Sequence, residues 1–463
     1  MSKSAITQTG GREATEGLIE GDVALAVGMP TSAVPNGWRW TKLTDLSRLE
    51  TGHTPSRQRP EYWDGDIPWI GIRDATANHG RTLLDTIQHV TQEGIDNSSA
   101  RILPANTVCL SRTASVGYVV VMGREMATSQ DFVNWVCDES KLDHRFLKYV
   151  LLAENRSFSR FSHGTTHQTI YFPEVKAFHV CVPSVSEQRA IAAVLTSLDD
   201  KIEQNRRTGR ALEGLARATF KAWFVDFEPV KAKAAGATSF PGMPTAAFAA
   251  LPDRLTDSSI GPVPEGWKLR PLSKVATFLN GLALQKYPPA GNGSDLPIIK
   301  IAELRKGSTD SAGQANASVP DAYVVEDGDL LFSWSGTLEV ELWFGGRGAL
   351  NQHLYKVTSD AYPRWLCLHW VRQHLPEFRV IASSKATTMG HIKRGHLDDA
   401  LIVLPDDVAL QAADSMIGPL YDLFASVAIE SRKLAVLRDY LLPRLLSGQV
   451  RARMRPLHED VKA

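Results

Sequence analysis

The sequence predicts an α+β chain: two similar mixed α/β globules separated by two long antiparallel coiled-coil helices, the whole a pseudo-twofold internal repeat. Three observations carry this. Val34-Pro35-Asn36-Gly37-Trp38 recurs as Val263-Pro264-Glu265-Gly266-Trp267, and each time opens a globular stretch. Each stretch holds short β-branched and aromatic runs, then a helical pattern, then a polar loop. Each ends at a proline, Pro183 or Pro405, beyond which an apolar heptad seam begins.

The first seam reads Ile191, Leu195, Leu198, Ile202, Asn205, Gly209, Leu212, Ala216, Thr219 and Trp223, in alternating steps of four and three. A second seam follows late in the chain with the same phase: Ala413, Ile417, Leu420, Phe424, Val427, Ser431, Leu434, Arg438, Leu441 and Leu445. A helix over 186–227 would be a rod of roughly 60 Å at ~1.5 Å per residue, too long for one small domain to cover. It needs a partner helix, and the second seam supplies one in the same chain. One amphipathic stretch alone would read equally well as a core helix. Two in phase, each after a similar globule, point to a pair. Asn205 reads either as a register device or as a polar position facing a partner subunit.

In chain order, residues 1–33 are polar and weakly patterned, and a mobile extension is expected. The first globule takes 34–185, with strands at 107–111, 117–121 and 132–137 and a helix at 143–153. The first long helix takes 186–228; Ser186 as cap and Glu187 in the first turn mark its start. An Ala-, Gly- and Pro-rich stretch at 229–262 reads as a surface linker. The second globule takes 263–406, with strands at 329–334, 339–344 and 354–357 and a helix at 363–375. The second long helix takes 407–451. Pro443 is expected to kink or stop it and 445–448 to cap it, leaving 452–463 as a tail.

Lys+Arg and Asp+Glu each number 51, so overall charge neither announces nor excludes a nucleic-acid partner. Cys109, Cys137, Cys181 and Cys367 lack any C-x-x-C spacing, which argues against zinc and for core thiols. The chain does not open with a charged segment followed by an apolar run, and no apolar stretch reaches ~18 residues. The expectation is a soluble, cytoplasmic protein without membrane contact.

Several phrases carry a family resemblance. They are Thr54-Pro55-Ser56 with Pro60-Glu61-Tyr62-Trp63-Asp64-Gly65-Asp66-Ile67-Pro68-Trp69-Ile70, and Ser186-Glu187-Gln188-Arg189-Ala190-Ile191 running to Ala222-Trp223-Phe224-Val225-Asp226-Phe227. Ser259-Ile260-Gly261 before the second Val-Pro start and Leu442-Pro443-Arg444-Leu445-Leu446-Ser447-Gly448 complete the set. In this order, and repeated twice, the pattern resembles the DNA-specificity subunits of type I restriction–modification systems over all but residues 1–33. The resemblance implies that each globule is a target recognition domain and each long helix a conserved spacer. It implies a non-catalytic subunit, with no cofactor and no metal, that reads a bipartite, asymmetric sequence in double-stranded DNA. The partners it implies are two adenine methyltransferase subunits and two ATP-driven restriction/translocase subunits. The rods would then act as a ruler: seven residues added to each would lengthen it by about 10 Å, about 3 base pairs at ~3.4 Å each.

Phosphate contact needs Lys and Arg, whereas base reading needs Arg, Lys, Asn, Gln, Ser or Thr aimed at groove edges. In the first globule the candidates are Ser56, Arg57, Arg59, Arg73, Ser111, Arg112, Thr113, His163, Thr166, His167 and Gln168. In the second they are Lys286, Lys300, Arg305, Ser333, Trp334, Lys385, Thr387, Thr388, His391, Lys393 and Arg394. His163 and His167 lack the acidic or thiol company of a metal site. No G-x-x-x-x-G-K-[ST] loop is present. Gly291-Asn292-Gly293 and Gly345-Gly346-Arg347-Gly348 lack a strand–helix setting and read as turns. Tyr287-Pro288-Pro289 lacks both the leading Asn or Asp and the trailing aromatic of an adenine methyltransferase motif. Two alternatives stay open: an autonomous nucleic-acid-modifying enzyme, which needs a cofactor loop, and a protein–protein adaptor with two peptide-binding globules.

Overall fold

The computed structural model describes residues 17–164, 168–384 and 390–452. The chain divides into two units, Met1–Asp200 with Ala435–Ala463, and Lys201–Leu434. The four longest helices are labelled α1 (His144–Ala153), α2 (Val185–Phe220), α3 (Arg364–Ser383) and α4 (Asp407–Leu446). Helices α2 and α4 contribute residues to both units.

The apolar runs form central sheets of matching order. In the first unit the order is Ser47–Thr51, Phe132–Cys137, Val108–Ser111, Val119–Met122, Thr82–Leu83. In the second it is Thr277–Asn280, Leu354–Thr358, Leu330–Ser333, Val340–Leu342. The inner strands Val108–Ser111, Val119–Met122 and Leu330–Ser333 are buried at every residue because both of their faces are covered. Val108, Leu110, Val119, Val121, Val133 and Trp135 pack with Phe146 and Val150 of α1, while Cys109, Val120, Met122 and Phe132 pack with Ile70 and Leu83. In the second unit Phe278, Leu330, Phe332 and Val340 share a core with Trp370 and Phe378 of α3; Leu331, Leu350 and Leu354 join Ile299.

The repeat extends to strand register. Ala127 pairs in parallel with Trp69, and their equivalents in the second copy, Ala349 and Ile298, also pair in parallel. His179 opposite Lys42 likewise becomes Leu401 opposite Pro271.

Within each unit the long helices pair antiparallel. In the first, Arg451 bonds Glu187 at 2.8 Å and Arg438 bonds Asp199 at 2.9 Å. In the second, Asn205 donates to Glu430 at 2.7 Å, and the missing side chain of Gly209 leaves the place that the Phe424 ring fills. All seam positions are buried or half-buried. Ile191, Leu195, Ile202, Trp223, Ile417 and Leu445 are at most 5% exposed, each stabilising its unit by about 1.5–3 kcal/mol through burial. Gln188, 1% exposed, ties the start of α2 to its globule by donating to Lys141 O and Pro183 O and accepting from Asp143 N.

Four expectations are corrected. Residues 17–33 are not a loose extension: Ile19–Glu20 and Leu25–Val27 are strands on the sheet of Phe178–Val182, and Ala24–Val27 are buried. The buried Glu154 carboxylate holds them, accepting from the backbone amides of Asp22, Val23, Ala24 and Leu25 at 2.6–3.2 Å. The 229–262 stretch is anchored rather than a surface linker, since Val230, Phe248 and Leu251 enter the second core. Helix α3 continues through Pro376 to Ser383, and α4 continues through Pro443 to Leu446, ending where Gly448 adopts φ +71°. Proline costs one backbone hydrogen bond, and buried Leu445 and Leu446 keep the last turn of α4 in place. Helix α2 starts at Val185 rather than Ser186, with Ser184 Oγ accepting from Glu187 N at 3.4 Å, and Phe227 at φ +54° ends the helical run after Lys221–Val225.

Candidate nucleic-acid interface

The central hairpin of each unit turns around a buried serine. Ser111 Oγ donates to Ser115 O at 2.5 Å and accepts from Tyr118 N at 2.8 Å. Ser333 Oγ donates to Thr337 O at 2.6 Å and accepts from Glu339 N at 2.7 Å. Both serines are 0% exposed. This corrects their assignment as DNA contacts: their hydroxyls are committed to bracing the turns that present 112–114 and 334–336.

Each braced tip is joined to the stretch that precedes the last globular strand. Ile170 N donates to Arg112 O and Ala114 N to Gln168 O, at 2.9 and 3.0 Å. Equivalently, Ile392 N donates to Trp334 O and Gly336 N to Gly390 O, at 3.0 and 2.9 Å. Thr113 bridges Thr169, and Ser335 bridges His391. The two candidate segments of each globule thus form one surface.

A third loop completes it. In Ser129-Gln130-Asp131, Asp131 N donates to Ser129 Oγ at 3.2 Å; in Asn351-Gln352-His353, His353 N donates to Asn351 Oδ1 at 3.3 Å. These side-chain turns present Gln130 and Gln352 at equivalent places. Each packs on a glycine. A Cβ on Gly52 would lie 2.0 Å from Ser129 O, and one on Gly281 would lie 2.2 Å from Asn351 O, so only glycine fits.

Upon this shared frame the outward side chains differ. Arg112 lies 4.6 Å over Phe172 and donates to Gln130 O at 3.2 Å; burial lowers its pKa, against the pull of Asp131. Its counterpart Trp334 donates its indole N–H to Asn280 Oδ1 at 2.8 Å and packs beside Tyr355 and His391. Ser335 Oγ and His353 Nδ1 are 2.8 Å apart.

In the first unit these groups border a cleft of roughly 570 Å³ lined by Thr54, Arg57, Arg73, Gln88, Gln130 and Asp131, among others. Arg57 lies 3.7 Å over Trp63 and donates to Gln88 Oε1 at 3.0 Å. Ser56 and Arg59 are exposed nearby in sequence, Arg59 paired with Glu61. His163 faces inward: its Nε2 is 3.3 Å from the buried Glu174 carboxylate and its ring stacks on Tyr171, so it supports the surface. Gln168 is exposed. Lys393 and Arg394 are exposed at the start of the helix Arg394–Asp399, next to His391. Lys286, Lys300 and Arg305 are exposed on other elements: the turn Leu284–Lys286 and the two ends of the helix Ile301–Lys306. Thr166, His167, Lys385, Thr387 and Thr388 lie outside the described residues.

Sequence reasoning passed over Thr54, Gln88, Gln130 and Gln352 as site residues, and Gly52 and Gly281 as their supports. The signal existed for the glutamines, because Gln130 and Gln352 are separated by the same offset as the two helix seams.

Residues 35–213 match the family model described as the type I restriction modification DNA specificity domain. The specificity subunit of the type I restriction enzyme MjaIX from Methanocaldococcus jannaschii is 26% identical over 431 residues, covering 90% of this chain and 94% of that one. That of HindI from Haemophilus influenzae is 24% identical over 346 residues, covering 65% and 74%. The crystal structure of the type I restriction–modification S subunit from M. genitalium superposes with a TM-score of 0.55 at 15% identity, covering 90% of this chain and 98% of that one. In sequence the chain is similar to specificity subunits of type I restriction enzymes, and it shares the fold of a solved S subunit.

Proposed function

We propose that this chain is the non-catalytic, sequence-reading subunit of a cytoplasmic type I restriction–modification complex, with each globule reading one half of a bipartite, asymmetric target in double-stranded DNA. It scaffolds two adenine methyltransferase subunits and two restriction/translocase subunits. The observation that carries this reading is the duplicated tip surface: one frame of braced hairpin, glycine-backed turn and joined loop, with different side chains facing out. Equal frames give both globules the same approach to a duplex, and unequal tips let them prefer different bases. Among the described residues no helix is long and apolar enough to cross a membrane.

The test is reconstitution. The purified chain alone should bind duplex weakly, with affinity falling steeply as salt rises, and should transfer no methyl group. Adding methyltransferase subunits should yield adenine methylation at one bipartite sequence. Methylation by the chain alone would favour an autonomous enzyme, and salt-independent association would favour a protein adaptor.

A further inference from the structure

Among the described residues, the outward positions of the two tip surfaces differ at Arg112 against Trp334 and Asp131 against His353, while a glutamine stands at the same place in both, Gln130 and Gln352. We infer that Gln130 and Gln352 perform the same recognition step in both halves of the target, each reading an adenine through its major-groove edge. This inference rests on the proposed function.

Two other pairs that the described parts of the tips share are already occupied. Ser111 and Ser333 are buried braces, and Gly52 and Gly281 are backbone contacts. The positions around the glutamines diverge: Arg112 against Trp334 and Asp131 against His353. A group preserved among diverging neighbours serves what the two halves have in common, whereas the diverging groups serve what distinguishes them.

A carboxamide offers one donor and one acceptor side by side, the complement of adenine N7 and N6–H₂ and of no other base edge in the major groove. Thr54 Oγ1 donates to Gln130 Oε1 and orients the amide, which leaves the second lone pair of Oε1 and the Nε2 hydrogens for a base. Gln130 is exposed at the mouth of the cleft of the first unit. Gln352, half-buried, has its Nε2 3.4 Å from His353 Nε2 and occupies a turn of the same construction.

The experiment uses the full chain assembled with its methyltransferase subunits, and the target found by sequencing methylated DNA of a host carrying the complex. Every position of that target is then substituted singly. Gln130→Ala should lower methylation of the intact target roughly 5- to 150-fold and abolish discrimination at one A·T pair in one half only. Gln352→Ala should do so at one A·T pair in the other half. Gln130→Glu, which keeps the shape but turns the donor into an acceptor, should shift preference at the same position toward cytosine. Thermal melting and circular dichroism of each variant verify the fold. A uniform loss on all duplexes would overturn the inference in favour of a phosphate or framework contact, as would unchanged discrimination in folded variants. If the unaltered complex itself discriminates among no duplexes, the proposed function fails instead.

Discussion

Replacing Gly52 or Gly281 with alanine tests the recognition frame where it is tightest. The added Cβ meets a carbonyl oxygen at 2.0 Å in the first unit and 2.2 Å in the second, where real Cβ contacts stay above 3.0 Å. The facing turn must therefore retreat by about 1 Å (3.0 − 2.0) or about 0.8 Å (3.0 − 2.2). Overpacking of this kind costs about 1–3 kcal/mol. At about 2–4 °C per kcal/mol for a unit of ~200 residues, melting should fall by a few degrees and at most by about 12 °C. The turn that moves carries Gln130 or Gln352, and a shift near 1 Å takes a 3 Å hydrogen bond out of range. Gly52→Ala should thus blunt base discrimination in one half of the target and Gly281→Ala in the other. Both melting and methylation of singly substituted duplexes are to be measured. Gly214→Ala is the control: its Cβ meets nothing within 4 Å on a helix, so it should stabilise by about 0.5–1 kcal/mol. If Gly52→Ala melts within about 1 °C of the original chain and discriminates as before, the close-contact argument is wrong.

Two further perturbations act elsewhere. Glu154→Ala removes the acceptor of the buried Ala24 and Leu25 amides and should cost about 2–6 kcal/mol, at about 1–3 kcal/mol per orphaned buried donor. Urea unfolding and amide exchange at 22–25 measure it; a loss under about 1 kcal/mol with unchanged exchange would contradict the assigned role. His369, stacked 4.7 Å from Phe220 and 3.0 Å from the Tyr421 hydroxyl, is pushed down to about 3 by burial, with Arg372 and Arg217 adding to the shift. Its folded pKa lies below the unfolded 6.5, so the unfolded chain binds the extra proton and stability falls as pH drops from about 6.5 toward about 3. At pH 5 the loss is about 2 kcal/mol, at about 1.36 kcal/mol per pH unit. His369→Gln should remove that part of the acid slope in a pH series of unfolding curves; an unaltered slope would refute it.

What was legible in the sequence was what repeats. The seams are buried or half-buried along the long helices because a heptad spacing admits few other uses, and the strands at 107–111, 132–137 and 354–357 appear within a residue of their expected limits. The strands at 19–20 and 25–27 went unread because they are short and depend on Glu154, which is remote from them in the chain. Ser111 and Ser333 were seen but misassigned: a serine in a polar turn looks the same in sequence whether its hydroxyl points at solvent or at its own backbone. Arg57 was found, but its stacking on Trp63 was not, since Trp63 could equally have entered the core.

The division between frame and tip also dictates where one reader can be exchanged for another. A chimera that replaces 34–183 and retains 17–33 would keep strand Leu25–Val27 while replacing its neighbour Phe178–Val182 and the carboxylate at 154 that binds residues 22–25. Unless the incoming globule supplies a matching strand edge and an acceptor in that place, several buried amides lose their partners, each at about 1–3 kcal/mol. A replacement spanning 17–183 carries both sides of these contacts together and keeps the Glu187–Arg451 pair; Gln188 stays on α2 and bonds the backbone that the incoming globule brings at 141, 143 and 183. The longer exchange should therefore yield a stable complex in which only one half of the methylated sequence changes. The shorter one should melt lower or fail to assemble. Equal melting of the two chimeras would mean that residues 17–33 contribute nothing to holding the first reader together.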